Sequence, residues 1–498
     1  MVFVAAAATA DPPADPQARC RALKGVEIEE NGTLIKVWGP FTNFVAAADG
    51  VPAYCQVTGY VAPNVGFEMR LPATSWNGKM LEVGCGGDCG YIAAGACRGP
   101  LERGYACIAT DTGHRGQGGV WASNDLEALI DFAYRAIHVV AIAGREVVKR
   151  YYDTPPKHSY FFGCSTGGRQ GLIEAQRFPW DFDGIISGAP WIQDSDSAMN
   201  YVWAARALRD EQGRPILSRA DLELVHARAL AACESDDGLA DGIIGDPARC
   251  TFDPRTLVCA AGRDSACLTA AQAGAVRKVY EGPADSQGRK LFPRGAMPGS
   301  ELNWIDYGSG TGYIDGEGGS GENENWAKLF FRYLVVPSPG RQWSPRDFNF
   351  DTDYQRFASG IQEPLFSAAN PDLRKFRAAG GKLIVYQGWN DESTMPAMTI
   401  DYYEMVVRAM GGADFLRLYL VPGMNHCGGG DGAFAVDYLT ALENWVERGI
   451  MPGALLATHP KTTLDFDTTT YAPLLRRFPI DAADVMFTRT LHPYSMKK

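Results

Sequence analysis

Long apolar runs are missing from this chain, and no stretch approaches the roughly 18 residues that a membrane-spanning helix needs. Basic charge is also short: 47 lysines and arginines face 58 aspartates and glutamates, a net charge of −11. Such a chain lacks the electrostatic footprint that a phosphate backbone requires, so nucleic acid is not an expected partner. Internal repeats, collagen-like triplets and coiled-coil heptads are absent too. Histidine is scarce, with seven in 498 residues, which leaves few candidates for a catalytic base.

What the chain does have is a composition of 46% apolar and 21% charged residues, enough to bury a substantial core. It also has twelve cysteines, an even number and high for a reducing compartment. An oxidising location follows, secreted or periplasmic. The first ten residues are small and apolar and end in Ala8-Thr9-Ala10 before Asp11. They resemble the tail of a secretory signal without its basic start, and residues 1–19 are read as an N-terminal tail.

Strand-length apolar runs at 67–71, 79–83, 106–109 and 159–162 alternate with helical periodicity, most clearly over 126–151. The alternation pauses after Pro190 and resumes at Phe376, with strands at 382–387 and 416–421 and helices at 400–410 and 434–448. The expected architecture is α/β: a mostly parallel sheet flanked by helices, formed by 20–190 and 372–498, with a lid domain of 191–371 inserted.

Gly163-Cys164-Ser165-Thr166-Gly167-Gly168 stands between the strand at 159–162 and a helical pattern at 170–177. A G-x-S-x-G turn in that context holds a serine strained and exposed, as a nucleophile requires. The base and its orienting acid are expected later, each just past a strand, in the order Ser, Asp, His. Asp391, in Gly388-Trp389-Asn390-Asp391, and His426, in Gly423-Met424-Asn425-His426-Cys427, occupy those two stations. Among the other histidines, only His114 lies in a polar loop after a strand. If Ser165 and His426 meet, Cys164 and Cys427 are brought close enough to bridge; a free thiol or Cys164 as the nucleophile are the alternatives. The oxyanion would take one N–H from Thr166, next to the nucleophile. A second donor is expected from the glycine-rich loop at 84–90, which no Gly-Lys-Ser/Thr follows and which is therefore no nucleotide loop.

These three segments, 163–171, 386–391 and 421–427, resemble the tannase and feruloyl esterase family, and the similarity runs from about residue 20 to 449. The resemblance implies an α/β-hydrolase core with a large lid, the triad Ser165, Asp391 and His426, and the Cys164 to Cys427 bridge beneath it. It also selects Gly86 as the second oxyanion donor. In the lid, Cys233-Glu234-Ser235-Asp236-Asp237-Gly238-Leu239-Ala240-Asp241-Gly242-Ile243 reads by itself as a solvated acidic loop. The family implies there a structural Ca²⁺ held by Glu234, Asp237 and Asp241 with the carbonyls of Leu239 and Ile243. Glu234 departs from the aspartate usual at its position.

Cys233 with Cys250 and Cys259 with Cys267 have the spacing of loop staples, and Cys20 is expected to pair with Cys55. The foursome Cys85, Cys89, Cys97 and Cys107 departs from the simplest family pattern. It allows three pairings, and formally a zinc site. The aromatic tract Trp304, Tyr307, Trp326, Phe330, Phe331 and Tyr333 supplies candidates to stack an aromatic acyl group, with Trp326, Phe330, Phe331 and Tyr333 chosen. The reading is a serine carboxylesterase for esters of aromatic acids, of feruloyl, galloyl or terephthaloyl type, with no organic cofactor. A general esterase for small non-aromatic esters and an inactive binding module are the competing readings.

Overall fold

The computed structural model describes residues 15–496 except 238, 240, 261–265, 293, 307–311, 316–326, 336–337, 339, 341 and 462–477. Eleven strands make one sheet. They are β1 (Glu27–Glu30), β2 (Thr33–Val37), β3 (Asn43–Val45), β4 (Tyr54–Val61), β5 (Val65–Pro72), β6 (Lys79–Val83), β7 (Ala106–Thr110), β8 (His158–Cys164) and β9 (Gly184–Gly188). After a two-stranded lid ribbon, β10 (Ile305–Asp306) with β11 (Ile314–Asp315), the sheet gains β12 (Lys382–Gly388) and β13 (Leu416–Val421). The order is β1-β2-β4-β5-β7-β6-β8-β9-β12-β13, with β3 beside β4.

The six strands β7, β6, β8, β9, β12 and β13 run parallel to one another, and the N-terminal strands extend the sheet antiparallel. The parallel strands are largely apolar because both faces are covered, with Glu82 of β6 and Arg417 of β13 among the exceptions. On β12, Leu383 and Val385 join one core with the helices Ala136–Tyr152, Thr166–Arg177 and Pro396–Met410, while Ile384 and Tyr386 join the opposite core with Tyr438–Arg448. The chain steps outward from β6 to β7 and then returns past β6 to β8. Ligands of open α/β sheets bind at such a reversal, beyond the carboxyl ends of the strands.

Several elements differ from expectation. The helix Pro16–Ala22, capped by Asp15, starts inside the expected tail and is fastened by the Cys20–Cys55 bridge. The helix expected over 126–151 carries a π-helical turn, Asp131–Arg135, between Leu126–Ile130 and Ala136–Tyr152. The last helix starts at Tyr438 rather than 434, because the Asp437 side chain caps it and residues 435–436 pair as β14 with β15 (Leu455–Pro460), which in turn pairs with β16 (Val485–Leu491). The foursome pairs as Cys85–Cys89 and Cys97–Cys107, leaving no thiolate for zinc. Cys233–Cys250 and Cys259–Cys267 pair as expected. No helix among the described residues is long and apolar enough to cross a membrane.

The segment expected as the lid leaves the sheet after β9 and returns before β12, and those two strands are parallel neighbours. Its entry and exit segments hydrogen-bond to each other at a neck, Ala368 N–H donating to the Ile192 carbonyl at 2.8 Å. Lid helices Asp194–Ala207, Arg219–Cys233 and Ala270–Glu281 enclose an aromatic core that includes Trp304, Tyr313, Phe330 and Phe331.

Candidate active site

Ser165 stands at the turn from β8 into the helix Thr166–Arg177 with φ 63° and ψ −122°. A non-glycine residue held at positive φ is strained, and here the strain is imposed by packing. A Cβ on Gly163 would lie 2.4 Å from the Gly167 carbonyl oxygen, and one on Gly168 would lie 2.3 Å from that of Gly188. Only glycine lets strand and helix approach this closely, and the turn between them is correspondingly sharp. The Ser165 N–H donates to the Gly188 carbonyl at 3.0 Å, tying the elbow to β9.

Asp391 follows β12 and is fully buried. Its carboxylate accepts hydrogen bonds from the N–H groups of Ser393 (2.9 Å) and Thr394 (2.8 Å), the Thr394 hydroxyl (2.8 Å) and the Gln387 amide (2.8 Å). The Nδ1 of His426, on the loop after β13, lies 3.0 and 3.1 Å from its two oxygens. A carboxylate can only accept, so Nδ1 carries the proton and Nε2 is left as the basic nitrogen. Burial works against the imidazolium, yet the charge and hydrogen bond of Asp391, with Glu392 adding, raise the His426 pKa above the ordinary value of 6.5.

Cys164 and Cys427 are disulfide-bonded with their Cα atoms 5.9 Å apart, and Cys427, like Ser165, has positive φ. The bridge joins the residue before the serine to the residue after the histidine. Three segments distant in sequence, at 164–166, 391 and 426–427, thus meet at the carboxyl edge of the sheet.

The loop 84–90 follows β6, the strand beside β8. The Thr166 hydroxyl donates to the Gly87 carbonyl at 2.6 Å, the Cys85 N–H donates to Gln170 Oε1 at 3.3 Å, and Cys85–Cys89 closes the loop. The loop that carries Gly86 is therefore held, through Cys85 and Gly87, against the first turns of a twelve-residue helix whose N-terminal dipole favours negative charge.

Part of the aromatic tract is placed differently from expectation. Phe330 and Phe331 are fully buried, Phe331 packing on Trp343, Phe348 and Phe357, so their rings fill the lid core and leave no face for a substrate. Trp304 is buried likewise and donates to Ser300 Oγ at 2.9 Å. Tyr333 lines a cavity of about 720 Å³ with Leu126, Leu129, Arg332 and Ile361. Tyr307 and Trp326 lie outside the described residues.

Sequence reasoning passed over Gln387, Ser393 and Thr394, which hold Asp391, and Asn303 of the lid, whose amide donates to Asn425 Oδ1 (2.9 Å) and the Asn390 carbonyl (3.3 Å). The run Asp391-Glu392-Ser393-Thr394 did carry a signal, since an aspartate followed by hydroxyl residues commonly caps its own turn.

In the acidic lid loop, a Glu234 carboxylate oxygen accepts the Gly242 N–H, and Asp241 accepts the Ile243 N–H and pairs with Arg489 at 3.2 Å. Leu239 is exposed, Ile243 is buried, and the Asp237 side chain lies outside the described part. Among the described residues no group of three or more acidic, histidine or cysteine side chains converges as a metal site.

A family model described as tannase and feruloyl esterase matches residues 49–493. The chain is 33% identical to the mono(2-hydroxyethyl) terephthalate hydrolase of Piscinibacter sakaiensis, covering 89% of this chain and 86% of that protein. It is 33% identical to a probable feruloyl esterase of Arthroderma benhamiae, covering 81% and 77%. The crystal structure of feruloyl esterase B from Aspergillus oryzae superposes with a TM-score of 0.80 at 26% identity, covering 96% of each chain.

Proposed function

The chain belongs to the tannase and feruloyl esterase family and is a carboxylic ester hydrolase; from that premise we propose that it cleaves esters of aromatic acids by serine catalysis. The observation that carries the mechanism is the buried Asp391–His426 pair, linked through Cys427–Cys164 to a serine on a strained elbow. His426 Nε2 takes the Ser165 proton as Oγ attacks the ester carbonyl. The N–H groups of Gly86 and Thr166 receive the oxyanion, each contributing about 3 kcal/mol to the barrier reduction. Collapse expels the alcohol, which takes its proton from His426. Water, deprotonated by the same nitrogen, then attacks the acyl-enzyme and releases the acid. Asp391 holds the imidazole tautomer and stabilises its charged form.

The aromatic acid is supported by the relatives, which are named for feruloyl and terephthaloyl esters. Six disulfides support a secreted or periplasmic location. Replacing Ser165 by Ala should abolish turnover of methyl ferulate while the circular dichroism spectrum stays unchanged; persisting turnover would refute the mechanism. Rates on methyl ferulate, methyl gallate and mono(2-hydroxyethyl) terephthalate rank the acids.

The reading extends to calcium in the lid. Carboxylates of Glu234, Asp237 and Asp241 with the carbonyls of Leu239 and Ile243 are hard oxygen donors of the kind calcium takes, and a carboxylate that accepts one hydrogen bond keeps further lone pairs. Bound there, the ion would brace the loop closed by Cys233–Cys250. A chelator should lower the melting temperature and Ca²⁺ should restore it; no change on chelation would rule the ion out.

A further inference from the structure

His114 is the histidine of the polar loop that the triad leaves unused, and it is buried behind the loop 84–90. Its ring stacks on Trp121 with centroids 3.7 Å apart and planes 16° apart, with Phe132 edge-on at 5.9 Å. Its Nε2 lies 2.7 Å from the Asp88 carbonyl oxygen. A carbonyl only accepts, so the proton is on Nε2 and the imidazole is a donor there. Burial lowers the His114 pKa, in keeping with a neutral ring.

Asp88 is two residues past Gly86. Its carboxylate is held separately, by the N–H groups of Gly118 (2.6 Å) and Gly119 (3.3 Å), and the Gly116 N–H donates to the Gly90 carbonyl at 3.0 Å. The near side of the loop is fastened to the nucleophile helix by Thr166 and Gln170, as described above. The far side is fastened to the segment 114–119, where His114 supplies a side-chain donor to the carbonyl two residues past Gly86.

We propose that His114 is a positioning residue for catalysis: its Nε2–H fixes the Asp88 carbonyl and thereby aims the Gly86 N–H at the oxyanion. The proposal rests on the serine-esterase reading and its oxyanion donors. An oxyanion hole acts through preorganisation, and losing one donor altogether costs about 10²- to 10³-fold in kcat. A donor that is retained but loosely held forfeits part of that.

The test compares His114→Phe, which keeps the stacked ring without the donor, with His114→Gln and His114→Asn. The Gln amide can reach the Nε2 position, whereas the Asn amide is too short. On methyl ferulate, His114→Phe and His114→Asn should lose about tenfold or more in kcat with KM within about twofold, and His114→Gln should recover most of it. Should the Phe variant misfold, the Gln and Asn pair still decides. A kcat within twofold of wild type for Asn, or equal impairment of Gln and Asn, overturns the role. Turnover surviving Ser165→Ala would instead remove the premise, a result independent of the His114 variants.

Discussion

Removing the Cys164–Cys427 bridge as a pair, Cys164→Ala with Cys427→Ala, separates what a crosslink does for the fold from what it does for catalysis. The bridge spans 263 residues of sequence, and the chain-entropy relation for a loop of that length gives about 5.6 kcal/mol at 25 °C. The two disulfides nested within the loop shorten it by 17 and 8 residues. Because the dependence is logarithmic, that changes the value by only about 0.1 kcal/mol. With an unfolding entropy of about 2.1 cal/mol/K per residue, a chain of 498 residues loses about 5 °C of melting temperature. Both cysteines are buried, so the voids left by their sulfurs add to the loss. The activity arm is read well below the transition, at 25 °C. Ser165 and His426 are each covalently adjacent to the bridge, and a misplacement of about 1 Å costs about 100-fold, so kcat should fall by about 10- to 100-fold. Differential scanning calorimetry and methyl ferulate turnover on the same preparation give both numbers. A melting temperature within about 1 °C of wild type would refute the entropic reasoning, and an unchanged kcat would show that the bridge does not position the pair it joins.

Other consequences are as direct. His426 must be neutral to act, and Asp391 raises its pKa, so the acid limb of kcat/KM should have its midpoint above 6.5 in the wild type. In Asp391→Asn that midpoint should move to lower pH and kcat should fall by about 10⁴-fold, as for a triad that has lost its tautomer control; a midpoint that does not move would exclude His426 as the titrating group. Glu82 and Glu174 are buried, and burial together with the charge of Asp181 pushes both well above the usual carboxyl range. The native state therefore keeps protons that the unfolded chain releases above about pH 4.3, and stability falls as pH rises beyond that point. Glu82→Gln should raise the melting temperature at pH 8 more than at pH 4, and an equal shift at both would contradict the assignment. Gly168→Ala should lose soluble protein, since its Cβ would meet the Gly188 carbonyl. In contrast Gly274→Ala, in the helix Ala270–Glu281 with nothing within 4 Å, should gain about 0.5 to 1 kcal/mol in denaturant unfolding.

The elbow and the two later stations of the site were legible because strand ends in an α/β sheet are marked by apolar runs that stop at polar turns. Ser165, Asp391 and His426 each stand at such a stop, and scarce histidine narrowed the choice of base. The pairing of Cys164 with Cys427 followed from that placement, whereas Cys85, Cys89, Cys97 and Cys107 stayed open because near neighbours in sequence have several geometrically equivalent partners. Phe330 and Phe331 misled for a different reason. Composition says that Phe330 and Phe331 will be buried but not whether a protein core or a ligand covers them, and the lid core does. The antiparallel strands β1 to β3 were hidden by short length and mixed polarity, β4 by the polar Gln56 and Thr58 and by Gly59 within it, and the π turn at Asp131–Arg135 leaves helical periodicity almost intact.

The neck at Ile192 and Ala368 has a consequence for how such an enzyme diversifies. Every residue of the proposed triad lies outside the lid, Ser165 before the chain enters it and Asp391 and His426 after the chain leaves. The neck pair closes the insertion at its base, but Asn303 also reaches Asn390 and Asn425 and Asp241 pairs with Arg489, so a different lid must match those core contacts as well. A chimaera joined at 192 and 368 should therefore keep its histidine loop in place only if the incoming segment supplies a partner for Asn425, the residue before His426.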